Sequence, residues 1–382
     1  GEISTAIDYY SRAIAQNGEL AVAYFNRGEA YERLDREDAA IDDYRRAIEL
    51  DDAYARPHVA LGKIYANNGF PDRAERSLAQ AIRLDPAEPD AHYNLGVLYF
   101  RQRRYRDAVA EYQAAIEARP EYARAHNNLG VAFDRVGDRE SAVQAFNAPI
   151  ALKPDYIDAI FNLGLAYFRL GKLEDAQARF ERVLQLEPEL PEAQFHLGEV
   201  YFQRGRTSTA LDLYKKALYS PPPNAQTNPP MARAYLDQNQ PEQAVQSLEK
   251  LCHLRPDDAR AHEELGLALA RVERVGALRR AVSELELAHQ LDPESPAILV
   301  SLSRVQYENK QGSSAKQSLR DALELEPGHR EATLDLARIL EAEGDVDAAL
   351  KLFQTALERN PTFAEAHFRI GVIHRKRREP AE

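Results

Sequence analysis

Six glycines, Gly28, Gly62, Gly96, Gly130, Gly164 and Gly198, stand at a constant step of 34 residues. A proline series keeps that step from Pro86 through Pro120, Pro154, Pro188 and Pro222 to Pro256, and resumes after a three-residue insertion at Pro293, Pro327 and Pro361. Between them runs an alanine series, from Ala40, Ala74 and Ala108 to Ala281, Ala315 and Ala349, and a bulky series that includes Tyr44, Leu78, Tyr112, Phe146, Phe180 and Tyr214. A fixed period of this length marks a repeat architecture, in which each unit touches only its neighbours, and it excludes a fold built around one central core.

Within one unit, Pro89 to Tyr122, the residues His92, Leu95, Gly96 and Tyr99 share one helical face, and Ala108, Tyr112, Ala115 and Ile116 share another. The stretch Arg101 to Tyr105 supplies the turn between them. Sister units place Gly137, Gly171 and Gly205 there, as a helix end with positive φ requires. Pro120 closes the unit because it cannot continue a helix. Each unit therefore reads as a helical hairpin, with Gly96 and Ala108 small where two backbones approach, and Tyr99 and Tyr112 filling the spaces beside them. A hairpin cannot cover its own apolar faces, so at least three must stack.

These series resemble the tetratricopeptide repeat across essentially the whole chain. The resemblance implies an all-α fold, a right-handed superhelical solenoid of about ten 34-residue units, with first helices on the inner wall and second helices on the outer. Units begin at Ala21, Ala55, Pro89, Ala123, Ile157, Pro191, Ala225, Ala259, Pro296 and Arg330. Residues 1–20 read as a lone second helix and Ala364 onward as a lone first helix, so both ends read as cut from a longer array, leaving Phe368 and Ile370 without a capping helix.

The register breaks in three places. In "SPPPNAQTNPPM", Ser220 to Met231, Pro229 and Pro230 fall inside an expected first helix and should delay its start by about a turn. This divides the chain into segments 1–222 and 223–382, joined by a hinge or by a rigid proline kink. The insertion between Gly266 and Pro293 should lengthen a first helix or its turn, making a bump on one rim. Pro149, inside a second helix, should kink it.

Chemistry is scarce. Forty-nine Lys and Arg against 61 Asp and Glu give a net charge of -12, which opposes a phosphate backbone, so no nucleic-acid partner is expected. Only Arg375-Lys376-Arg377-Arg378 is locally basic. The single Cys252 can make neither an internal disulfide nor a zinc cluster. "HEELG", His262 to Gly266, has no second metal ligand one turn on. His58, His92, His126 and His262 recur one to a unit, roughly 8–10 Å apart, too far for one metal, and read as packing residues. The two glycines of "GLAYFRLGK", Gly164 to Lys172, belong to the repeat and lack phosphate-loop spacing. No catalytic residues and no cofactor are expected, and the chain reads as non-enzymatic. No apolar run approaches the roughly 18 residues of a membrane span; a soluble protein, cytoplasmic rather than periplasmic, is expected.

What remains is the surface of the first helices beside their packing face. In the third to sixth units it comprises Tyr93, Asn94, Val97, Phe100 and Arg101; Asn127, Asn128, Val131 and Arg135; Phe161, Asn162, Leu165, Phe168 and Arg169; and Phe195 with His196. These residues are expected to bind a partner protein or an extended peptide in a concave groove. Asn26, Asn94, Asn128 and Asn162 form a ladder able to offer donors and acceptors to a peptide backbone, while Arg33, Arg101, Arg135 and Arg169 add a basic stripe. The same pattern also fits a near-consensus repeat with no ligand. The ladder resembles the inner wall of the repeat arm of O-linked N-acetylglucosamine transferases, interrupted here by Ala60 and His196. The carboxylate clamp of chaperone-binding repeats pairs Lys with Asn one turn apart; Phe25/Glu29, Val59/Lys63, Tyr93/Val97, Phe161/Leu165 and Phe195/Glu199 do not fit it. The chain thus reads as an interaction scaffold or, alternatively, as the substrate-recruiting arm of a glycosyltransferase-like enzyme, with self-association through the cut ends as a third possibility.

Overall fold

The structure, a computed structural model, describes residues 1–219 and 228–378. Among the described residues there are 22 helices and no strand. They fall into two compact units, Gly1–Pro188 and Glu189–Glu382. The first holds α1 (Glu2–Gln16) and five hairpins: α2 (Ala21–Glu32) with α3 (Glu37–Leu50), α4 (Ala55–Asn67) with α5 (Pro71–Leu84), α6 (Pro89–Arg101) with α7 (Tyr105–Ala118), α8 (Ala123–Val136) with α9 (Arg139–Leu152), and α10 (Ile157–Arg169) with α11 (Leu173–Leu186). The second holds α12 (Pro191–Gln203) with α13 (Thr207–Tyr219), α14 (Asn228–Asp237) with α15 (Pro241–Leu254), α16 (Ala259–Ala270) with α17 (Ala277–Leu291), α18 (Pro296–Glu308) with α19 (Gly312–Leu325), α20 (Arg330–Ala342) with α21 (Val346–Arg359), and α22 (Ala364–Arg378). First helices begin at the expected residue in every unit but the one with the double proline. There α14 starts at Asn228, three residues past Ala225, and carries Pro229 and Pro230 in its first turn. The expected hinge or kink falls on residues 220–227, outside the described residues.

Close backbones are part of the cause of the glycine series, since a Cβ on Gly62 would stand 3.4 Å from Ala74 O and one on Gly266 3.1 Å from Ala281 O, but a second-helix side chain is nearer still. A Cβ on Gly96 would stand 2.7 Å from Cε1 of Tyr112, and one on Gly130 2.6 Å from Cε1 of Phe146. The bulky residue of the second helix therefore lies on the glycine of the first, 16 residues earlier, rather than beside it. Gly28 with Tyr44, Gly62 with Leu78, Gly164 with Phe180 and Gly198 with Tyr214 repeat the joint. The buried alanines on the second helix, Ala40, Ala74, Ala108, Ala142 and Ala176, let the two axes come close enough for this.

Every hairpin turn contains one left-handed residue at the same register: Asp35, Gly69, Arg103, Gly137, Gly171, Gly205, Asn239, Gly276, Lys310 and Gly344. That position ends the first helix with a backbone bond back into its last turn, as from Arg104 N–H to Tyr99 O. The insertion obeys the same rule. Helix α16 is no longer than its sisters; the extra residues lie in the turn, before Gly276, and leave Val275 fully exposed. The joint beyond is intact, with Leu285 on Gly266 at 2.6 Å. Helix α9 runs through Pro149 to Leu152, as long as α7 and α11, because the proline lies in the last turn and removes only the bond to the Ala145 carbonyl.

The recurring histidines tie one repeat to the next. Nε2 of His92, His126, His262 and His367 lies 3.1, 2.8, 3.1 and 2.9 Å from the carbonyl oxygens of Pro86, Pro120, Pro256 and Pro361, the prolines that end the preceding units. Nδ1 of His92 is 2.7 Å from Glu111, and Nδ1 of His262 is 2.8 Å from Glu284. Both ring nitrogens of His92 face acceptors, which favours the imidazolium; the Glu111 hydrogen bond raises its pKa above the usual histidine value, against burial.

Candidate peptide-binding face

In the first unit the first helices stand in a row, α4 against α6, α6 against α8 and α8 against α10. Their exposed sides hold the ladder. Asn94 donates from Nδ2 to Asp90 O at 2.7 Å, Asn128 to the Tyr93 hydroxyl at 3.2 Å, and Asn162 to Oδ1 of Asn127 at 3.1 Å. Each amide has spent a donor on the protein, two of them across a repeat boundary. The ladder thus presents acceptors more than donors, a polarity that residue types alone cannot give.

The other expected residues divide by environment. Tyr93 is half-buried, with ring centroids 6.0 Å from Tyr112 and 5.0 Å from Tyr122. Val97, Phe100, Val131, Phe161, Leu165 and Phe168 are also half-buried; Phe100 meets Tyr105 edge-on at 5.2 Å and Phe161 meets Phe180 at 5.7 Å. Asn127 is buried and serves as the bridge to Asn162. Of the basic stripe, Arg101, Arg135 and Arg169 are exposed; Arg101 donates to Asn67 and Arg169 pairs with Asp134, which offsets its charge. Phe195 and His196 belong to the second unit, where Phe195 is buried 6.1 Å from the Tyr214 ring and 4.9 Å from His196.

A cavity of about 360 Å³ opens beside the ladder, toward the chain's start. Of the expected residues it includes Tyr93 and Asn94. Its apolar walls are Phe25, Val59 and Tyr122, and its polar rim is Glu29, Glu32, Arg56, Lys63, Glu88, Asp90 and Arg124. Arg56 lies 4.6 Å over the Phe25 ring and 3.4 Å from Glu29; Lys63 pairs with Glu32. The Tyr122 hydroxyl donates to Asp90 at 2.7 Å, and burial first, then that carboxylate, raises its pKa and keeps it protonated. Phe25 and Val59 share a register with Tyr93, so the signal was present in the first two repeats. Tyr122 was missed because it precedes a first helix, the place that Tyr54 fills over Phe25 at 5.3 Å.

Among the described residues no three of His, Cys, Asp and Glu are placed to hold a metal ion. The Cys252 thiol is half-buried and pushed up to about 11 by burial and then by Glu284, which leaves it a poor nucleophile at neutral pH. Among the described residues no helix is long and apolar enough to cross a membrane.

Stacked hairpins that bury a ring on a glycine and leave aromatic and amide side chains on one row of helices define a helical-repeat protein of the α-solenoid class. The chain belongs to the tetratricopeptide repeat family. Residues 156–370, more than half of the chain, match the family described as Cilia and flagella-associated protein 70 C-terminal domain, and tetratricopeptide repeat families match residues 21–54, 59–105 and 98–157. A stretch of 101 residues, 26% of the chain, is 31% identical to the interferon-induced protein with tetratricopeptide repeats 2 of Cricetulus griseus, and spans only 21% of that protein. A tetratricopeptide repeat protein from Parabacteroides merdae shares the fold, with a TM-score of 0.51 and 19% identity over 66% of this chain and 98% of that one. Yeast Tom70 aligns over 99% of this chain and 93% of its own, at 15% identity and a TM-score of 0.47. Tetratricopeptide repeat proteins are known as protein-interaction scaffolds.

Proposed function

We propose that the chain is a non-enzymatic scaffold that holds an extended peptide segment of a partner protein along the row of first helices in its first unit. The observation that carries this is the cavity spanning α2, α4, α6 and α8, lined by Asn94 and continued along α8 and α10 by Asn128 and Asn162, amides that have each given one N–H to the protein and keep acceptor capacity on their oxygens. An extended peptide has backbone N–H groups to give to such oxygens and side chains to place against Phe25, Val59 and Tyr122.

Selection from a random peptide display library, followed by titration of the selected peptides, tests this. Binding should weaken at least about tenfold, or about 1.4 kcal/mol, in Asn94→Ala/Asn128→Ala/Asn162→Ala protein with its helical circular dichroism unchanged. Equal affinity in the triple variant would remove the ladder from the binding site.

A further inference from the structure

Gly266 and the left-handed Gly276 hold the registers of Gly96 and Arg103, so Arg271 and Val272 match Arg101 and Gln102, and the inserted residues are Glu273, Arg274 and Val275. Packing does not need them, because the Leu285–Gly266 joint is closed as in the sister hairpins. Two of the three, Arg274 and Val275, instead line a cavity of about 520 Å³ between α15, the end of α16 and the start of α17. Its floor is aliphatic: Val245, Leu269 and Ala277 are buried, and Val272 is half-buried beside them. Val275 stands fully exposed at its lip. An isolated exposed aliphatic side chain needs no explanation, but one set beside an open apolar cavity extends a contact surface.

The charges around this cavity are of two kinds. Arg280 and Glu249 pair across α17 and α15 at 2.6 Å and offset one another. Arg274, in the turn, and Glu242, in the first turn of α15, are exposed, and among the described residues neither side chain has a hydrogen bond or an ion pair. The two edges of the cavity are therefore open and opposite in sign. We propose that this cavity is a docking site for a segment of a partner protein that carries a Leu or Ile between an acidic and a basic residue. The aliphatic side chain covers Val245, Leu269, Val272 and Val275, the acidic residue meets Arg274, and the basic residue meets Glu242. The walls offer no ring for an aromatic side chain to stack on, so an aliphatic one is favoured. The cavity lies wholly within the second unit, and this inference does not depend on the peptide reading of the first.

A display library of random linear peptides is the probe, selected on the 382-residue chain and counter-selected on a chain lacking Glu273, Arg274 and Val275. The deletion restores the length of the sister turns, so its helical circular dichroism should be unchanged, and the counter-selection removes peptides held elsewhere on the molecule. Surviving peptides are expected to carry Leu or Ile between opposite charges. They should bind at least about tenfold more weakly to Val275→Asp protein and to Arg274→Glu/Glu242→Lys protein. All three side chains are exposed, so both variants should keep their melting temperature. Peptides with the two charges exchanged should recover binding to Arg274→Glu/Glu242→Lys protein. No surviving peptides, survivors without an aliphatic residue, or binding indifferent to both variants would overturn the site. Self-association that is lost on the same deletion would overturn the choice of occupant and put a second copy of the chain in its place.

Discussion

In the first unit all five joints set a glycine under the bulky residue, and that residue is Tyr or Phe in all but the Gly62–Leu78 pair. In the second unit the same register reads Gly198, Ala232, Gly266, Ser303 and Ala337, and the bulky partners are Tyr214, Leu248, Leu285, Leu319 and Phe353. Where the small residue gains a methyl or hydroxymethyl group, as in Ala232 with Leu248 and Ser303 with Leu319, a ring gives way to the smaller leucine. The exchange is not strict, because Ala337 keeps Phe353. Volume compensation therefore holds at two joints and not throughout, since Gly62 and Gly266 also take a leucine. Ser303 remains acceptable in a buried joint because its hydroxyl donates to Val300 O at 2.7 Å. The ring version adds a polar end: Tyr44 donates to Glu32 and Tyr214 to Glu199.

The largest effect is expected from emptying a ring joint. Phe146→Ala should cost about 3–5 kcal/mol in urea unfolding, and a loss under 1 kcal/mol would show that the first unit's joints can collapse. Filling the joint should cost less: Gly130→Leu forces a side chain under Phe146 and should destabilise by about 1–3 kcal/mol. Ser303→Ala in the second unit should stay within about 1 kcal/mol of wild type, since a satisfied hydroxyl contributes little net. Equal costs for the two would dissolve the contrast between units.

Gly371 keeps the glycine register on α22, yet an added Cβ there would meet nothing within 4 Å. Gly371→Ala should therefore stabilise by up to about 1 kcal/mol, the helix penalty of glycine without a ring to accommodate, while Gly96→Ala destabilises. Parallel thermal melts of the two decide this. The smallest effect concerns His92. Its raised pKa means that the Glu111 contact contributes fully below the unfolded histidine value near 6.5 and fades as pH rises through the folded value. The difference in melting temperature between wild type and His92→Gln should therefore be largest below pH 6.5 and shrink toward pH 8. A gap that does not change with pH would reduce His92 to a packing residue. His58, whose pKa burial and then Arg83 lower, acts in the opposite sense, losing stability as pH falls below 6.5.

The repeat, its hairpins and nearly all its helix starts were legible because Gly28, Ala40, Tyr44 and their kin recur in one register, and recurrence needs no knowledge of contacts. The nearer reason for the glycines was not, since only coordinates show Tyr112 on Gly96 rather than beside it. The ladder was legible as four asparagines. Its polarity was hidden, because an amide's direction depends on neighbours one repeat away, such as Tyr93 for Asn128. The cavity was half legible: Tyr93 and Asn94 follow from register, but Tyr122 reaches it from a connecting segment that helical periodicity does not describe. Phe368 stood out as uncovered and is 68% exposed, whereas the open space beside Gly371 shows only in coordinates.

The insertion before Gly276 has a practical corollary. Three additional residues leave the Leu285–Gly266 joint closed and the following helices in phase, so the ring of backbone that the left-handed residue completes is indifferent to what lies upstream of it. The segment between Arg271 and Val275 is therefore a natural port for grafted sequence. A reporter or epitope placed there would project into solvent from a turn that has already accommodated extra length.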